Sequence, residues 1–295
     1  MSALTTLSTG GHFFEGPRWR DGQWFVSDFY RHTVFTVDEH DGTQTPIAEV
    51  AAQPSGLGWL PDGSMVIASM RDRRVLRRTP DGSLSVHADL SDMGEGKLND
   101  LVVSAAGDVY VGGFGFDLMA AGDPAPHPLI RVAIDGTATV VAEDLLFPNG
   151  AVITPDGSTL IVAETLGCRL SAFDIQADGG LGERRTFAQL APTPEMGTFE
   201  STLPQVLVGP DGICLDAEGG VWVADAIGGR CIRVVEGGEV TDEIVPGDTG
   251  IFACALGGSD GHTLLLCCAP DFAEQNRAAA AEATLRTTTV TVPAA

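Results

Sequence analysis

The chain has 295 residues and a formal net charge of −23, from 40 acids against 17 bases. That balance excludes the basic footprint of a nucleic-acid binder and disfavours docking on anionic membranes. No stretch reaches the roughly 18 apolar residues of a membrane span, and the opening MSALTTLSTGGHFFEGP has neither the basic start nor the apolar run of a secretion signal.

From the N-terminus onward one pattern recurs: a polar start, an apolar strand, a Gly-containing turn, and a second strand. The copies run from Glu15 to Asp28, Pro54 to Ser69, Leu98 to Gly113, Pro148 to Glu164 and Pro210 to Asp225, with a weaker sixth from Gly250 to Ala269. A further hairpin follows each of the first five, as in VLRRTPDGSLSVHA and LIRVAIDGTATVVA. A unit of four strands in about 40 to 60 residues is a propeller blade. The spacing predicts an all-β fold, a six-bladed β-propeller with four-stranded antiparallel blades around a central tunnel, as one domain over 1–295. After the sixth copy, TLRTTTVTVP supplies one more strand, and the N-terminal ALTTLS is expected to complete that blade, because closing the ring removes exposed edges. Two insertions, 114–128 and 190–205, have the length of binding loops. The segment 271–283 reads as a short helical excursion without visible chemistry. The six cysteines contain no C-x-x-C pair. Free thiols in a reducing compartment are the expectation, and with them a cytoplasmic protein whose partner is a small molecule.

In a propeller the first strand of each blade lines the tunnel. The residue at the start of that strand reads, copy by copy, Glu15, Ser55, Asn99, Asn149 and Asp211, with Phe252 near the equivalent place in the sixth. Asn, Asp and Ser also favour turns, which accounts for any one of them alone. Together they offer carboxylate and amide oxygens from different blades, the ligand set of a hard divalent cation with positions open for water or substrate.

Four short motifs stand in order, one per blade: Glu15-Gly16-Pro17, Leu98-Asn99-Asp100, Pro148-Asn149-Gly150 and Pro210-Asp211-Gly212. With them the chain resembles the regucalcin–gluconolactonase (senescence-marker-protein) family of six-bladed propellers over nearly its whole length. The resemblance implies Glu15, Asn149 and Asp211 as metal ligands, Asn99 beside the metal in contact with substrate or metal-bound water, and a proton-transfer role for Asp211. Lys97 is the only lysine in the chain, and two residues before Asn99 it is expected to face the same side. Gluconolactonase-like members often carry an Arg there that binds sugar hydroxyls, and a lysine lacks that flat fork. Asp100 is read as a partner for Lys97 and a substrate contact, or as a turn former. Phe114 and Phe116, with Leu118 and Met119, give the first insertion a more apolar rim than a polyol needs.

The expected activity is divalent-metal-dependent hydrolysis of a small lactone, with Asp211 and Asn99 as the catalytic pair and Lys97, Asp100, Phe114 and Phe116 around the substrate. The cation is read as Ca²⁺ first, with Mg²⁺, Mn²⁺, Zn²⁺ or Fe²⁺ open. Two other readings share these residues. One is a metal-dependent isomerase, hydratase or lyase, including a Schiff base on a desolvated Lys97. The other is a cation-binding protein without activity. Gly257-Gly258-Ser259-Asp260-Gly261 matches G-x-S-x-G by letters, but a strand follows instead of a helix. The six histidines are scattered, and the chain has no phosphate-binding or dinucleotide fingerprint.

Overall fold

The computed structural model describes residues 4–295. They form six four-stranded antiparallel sheets in a ring: the chain is a six-bladed β-propeller. The innermost strands are Phe14–Arg20, Pro54–Trp59, Leu98–Val103, Pro148–Ile153, Pro210–Leu215 and Gly250–Gly257, and they define blades 1 to 6. The ring closes as expected. Strand Thr5–Gly11 pairs with Ala283–Thr289 and makes the fourth strand of blade 6. Ala3, the first residue of the anticipated closing segment, lies outside the described residues.

Second strands are apolar on both faces because a blade stands between two others. Met65–Ser69, Val109–Gly113 and Val221–Asp225 are buried at every position. An outermost strand such as Val240–Ile244 is exposed at four of its five residues. The buried side chains fall into six clusters, one at each blade–blade junction. Adjacent Cys267 and Cys268 illustrate the two-faced strand: Cys267 packs in the blade 6–blade 1 junction and Cys268 in the blade 5–blade 6 junction. Each fully buried Val, Leu or Phe contributes roughly 1.5–3 kcal/mol, so the stability lies between blades and leaves the axis free for polar groups. The hairpins turn on Asp-Gly pairs. The carboxylates of Asp62, Asp81 and Asp156 accept the amide two residues on, while Gly63, Gly82 and Gly157 take the left-handed φ that the turn requires. No helix among the described residues is long and apolar enough to cross a membrane.

Candidate active site

All six inner strands slip register with their neighbour near their first residues: between Glu15 and Arg18, Pro54 and Leu57, Leu98 and Leu101, Pro148 and Ala151, Pro210 and Ile213, and Ile251 and Ala253. A bulge carries one unpaired residue and re-aims its side chain. The polar column of the sequence sits in these bulges. Glycine follows the column residue in four blades because the next inner strand passes too close for a side chain. A Cβ on Gly150 would lie 2.5 Å from the Asp211 carbonyl oxygen, and one on Gly56 2.3 Å from the Leu101 amide nitrogen.

The column therefore converges at one mouth of the tunnel. A cavity of about 690 Å³, open mouth included, has Glu15, Asn99, Asn149 and Asp211 together on its wall. A directed hydrogen-bond relay runs between blades beneath it. Ser55 Oγ donates to Asn99 Oδ1 (3.1 Å), Asn99 Nδ2 to Asn149 Oδ1 (2.8 Å), Asn149 Nδ2 to Thr165 Oγ1 (3.1 Å), and Thr165 Oγ1 to the Pro210 carbonyl (2.7 Å). The Asn149 side chain also hydrogen-bonds Asp211. The relay consumes the amides and hydroxyls and leaves carboxylate oxygens of Glu15 and Asp211 as the uncommitted polar atoms.

Those acids are held far from their ordinary state. Burial pushes Glu15 well above the carboxylate range, and the charges of Asp211 and then Asp100 add to it, against a hydrogen bond from the Gly16 amide. Asp211 is also pushed well above that range by burial, with the Asn149 hydrogen bond opposing and the Asp100 charge adding. Two like charges in an apolar cavity without a cation on its wall have an unmet demand for positive charge. The donors suit a hard divalent cation, and the wall has no histidine or cysteine to favour a softer one. The residues present thus fit such an ion, although no group of three or more His, Cys, Asp or Glu side chains gathers as a metal cluster among the described residues.

Three anticipated neighbours stand elsewhere. Asp100 is off the wall and does not meet Lys97; its Oδ1 accepts from Arg18 (2.8 Å) and from the Leu101 amide (2.8 Å). Lys97 is off the wall as well, with its Nζ 3.8 Å from Glu274. The bulge between Leu98 and Leu101 breaks the two-residue alternation that was to carry Lys97 and Asn99 to one side. Phe114 lies on the wall. Phe116 sits behind it, edge-on to Phe147 with ring centroids 6.1 Å apart. Leu118 and Met119 line the cavity from a single 3₁₀ turn, Leu118–Ala120.

Several wall residues escaped the sequence reading. Phe13 and Phe147 stand two residues before Glu15 and Asn149, Phe29 and Tyr30 just after the second strand of blade 1, Leu203 in the second insertion and Val206 just after it. The aromatic residue two places before the column residue was a readable signal in FFEGP and LFPNG. Phe272 comes from the excursion expected to carry no chemistry, which supplies one helical turn, Glu274–Arg277, and the partner of Lys97. Glu164 and Asp225, the last residues of the second strands of blades 4 and 5, act through the backbone. Asp225 accepts the Gly209 and Gly228 amides and Arg230 Nε; Glu164 accepts the Leu146 amide and two nitrogens of Arg169. Asp28 does the same in blade 1 with the His12 and Phe13 amides and Arg31. Each latches the segment that leads into an inner strand.

A profile of the SMP-30/Gluconolactonase/LRE-like region matches residues 13–269. The pentonolactonase XacC of Haloferax volcanii is 25% identical over 268 residues, which cover 90% of this chain and 84% of that protein. Among solved structures, a luciferin-regenerating enzyme superposes with a TM-score of 0.79 at 18% identity, covering 100% of this chain and 98% of that one. A calcium-binding regucalcin from Agrobacterium tumefaciens gives 0.76 at 24% identity, with 99% and 97% covered.

Proposed function

The chain belongs to the SMP-30/gluconolactonase/LRE-like family, and from that premise we propose that it is a hydrolase that opens a small lactone with the help of one divalent cation held by Glu15, Asn149 and Asp211. The observation that carries this reading is the buried Glu15 and the half-buried Asp211 facing one cavity, with raised proton affinity and no positive side chain on its wall. The relatives' names support the reaction class, and the donor chemistry and a calcium-binding neighbour of the same fold support the cation. Ca²⁺ is the first choice, with Mg²⁺ and Mn²⁺ next.

A bound cation supplies Lewis-acid polarisation of the ester carbonyl. Asp211, beside the cation on the same wall, takes the proton of the attacking water. Asn99, locked by Ser55 and Asn149, positions the ester. The apolar wall excludes competing water and favours a substrate less polar than a sugar lactone. Lys97, paired with Glu274 outside the cavity, does not present an amine for a Schiff base.

The test is proton release from a lactone panel by chelator-stripped protein, with single metals added back. Metal-dependent turnover that is lost in Asp211→Asn and Glu15→Gln is expected. Full activity in the stripped protein, or in both variants, refutes the assignment.

A further inference from the structure

We infer that the substrate is an uncharged lactone carrying an alkyl or aryl group on the ring carbon remote from the carbonyl; this rests on the lactone-opening reading and names its substrate class. Charge comes first. No lysine, arginine or histidine lies on the cavity wall among the described residues. The nearby cations are committed, Lys97 to Glu274 and Arg18 to Asp100. A carboxylate, phosphate or sulfonate on the part of the substrate away from the cation would lie against the aromatic wall with no cationic side chain to pair with it, at a large desolvation cost.

Hydroxyl recognition is missing too. Tyr30 Oη donates to the Phe272 carbonyl (3.3 Å), and Asn99, Asn149 and Thr165 are used in the relay. Beyond the ester that Asn99 positions, a polyol ring would meet mostly aromatic and aliphatic side chains, and each hydroxyl left unpaired costs roughly ten- to a hundredfold in affinity.

The polarity of the cavity fixes the orientation. Asn99, Asn149, Thr165 and Asp211 are joined by hydrogen bonds into one polar group on the wall, while Phe13, Phe29, Phe252 and Phe272 pack ring to ring, as do Phe114 and Phe147. An ester at that polar group directs the far side of its ring toward those aromatics and the mouth, where Ile227 is 43% exposed. The apolar wall continues through Leu118, Met119, Leu203 and Val206, along which a substituent on that carbon would lie. Phe147 holds its place at φ 60°, a conformation rare for a bulky residue, edge-on to Phe114 at 4.6 Å. Such strain gathers where a site over-determines its shape.

The experiment compares kcat/KM for γ-lactones with progressively longer alkyl chains, one ending in a carboxylate, and glucono-δ-lactone, with one metal present throughout. The matching alkyl lactams, which are not hydrolysed, are titrated in parallel. The expected result is about a fourfold gain per methylene over the first few, a slower sugar lactone, and loss of the gain for the carboxylate-ended chain, with recovery in Ile227→Arg. A preference for the sugar lactone, a flat alkyl series, or a charged chain as good as its neutral counterpart in the parent overturns the inference while leaving lactone hydrolysis intact. If no lactone is opened with any metal yet lactam affinity rises with chain length, the reaction assignment falls and the ligand class stands. Flat lactam binding without turnover overturns both.

Discussion

Consider replacing Glu15 with Gln and following thermal stability with and without metal. The carboxyl of Glu15 in the folded protein lies well above its ordinary range, by burial first and then by Asp211 and Asp100. A raised folded pKa means that the folded state binds more protons than the unfolded one. Metal-free stability therefore declines as pH rises from the unfolded value, about 4.3, through the folded one. A cation replaces those protons, so its stabilisation grows over the same window. At a hundredfold excess over Kd it adds about 2.7 kcal/mol. With an unfolding entropy of about 2.1 cal/mol/K per residue and 295 residues, that moves Tm by about 4 °C. Glu15→Gln keeps the shape and removes the charge. At pH 8 the metal-free variant should melt above the metal-free parent, while its metal-induced shift falls below about 1 °C.

Scanning calorimetry from pH 5.5 to 8.5, on stripped and metal-loaded protein, reads both effects. His127, pushed down to about 4 by burial, works in the opposite sense; its contribution is complete above the ordinary histidine range, and the parent–variant difference cancels it. An undiminished metal shift in Glu15→Gln places the cation elsewhere. A metal-free variant less stable than the parent at pH 8 shows that the carboxylate was not under electrostatic stress.

The other predictions concern the supports of the site. Thr165→Val keeps the volume but leaves the Pro210 carbonyl and an Asn149 proton unpaired, so stability should drop by about 1–3 kcal/mol and kcat by about tenfold, with Thr165→Ser restoring both; an unchanged kcat removes the relay from the mechanism. Gly150→Ala drives a methyl against the Asp211 carbonyl and should weaken metal affinity by isothermal titration more than it lowers Tm. Asp100→Asn removes a charge that raises both Glu15 and Asp211 and frees the Arg18 guanidinium, so the acidic limb of the kcat/KM profile should move to lower pH; movement the other way contradicts the assigned cause. Asp225→Ala leaves the buried Gly209 amide without its acceptor, while Arg230 keeps Glu243, and should cost about 1–3 kcal/mol in chemical denaturation, more than Asp225→Asn.

What could be read in the sequence followed from repetition. Six copies of one strand pair fix the blade count, and aligning them by the glycine of their turns brings Ser55, Asn99, Asn149 and Asp211 into one column, with Glu15 one place from it, without knowledge of the tunnel. Closure by the N-terminal strand followed from counting strands in the last blade. The misplaced residues share one physical cause. Lys97 was positioned by strict two-residue alternation next to a column residue and Asp100 as its partner, and there every inner strand bulges. Period-two reasoning fails across an unpaired residue, so Asp100 turns to Arg18 and Lys97 to Glu274. The apolar wall was hidden for another reason: its residues come from the ends of different blades and two insertions, and share no period that one copy could reveal.

The same bulge links fold and chemistry. A regular inner strand would pair every backbone group with its neighbour and leave the column residues in the interblade packing. The bulge at the start of each inner strand turns its column side chain toward the axis, a polar one in five blades, and in blades 1, 2, 4 and 5 the following glycine lets the next blade come within contact. Convergence of blades 1, 3, 4 and 5 on one point is thus a backbone property, repeated before any side chain is chosen. Blades 2 and 6 fill the same position with Ser55 and Phe252. Ser55 supports Asn99, and Phe252 stacks on Phe13 with centroids 4.9 Å apart. A ring of six equivalent positions is divided among ligands, one support and one apolar wall. The divergence from a polyol site lies in the aromatic rings of the wall, so exchanging Phe147 or Phe272 should change which lactone is opened, whereas exchanging Asp211 should change whether any is.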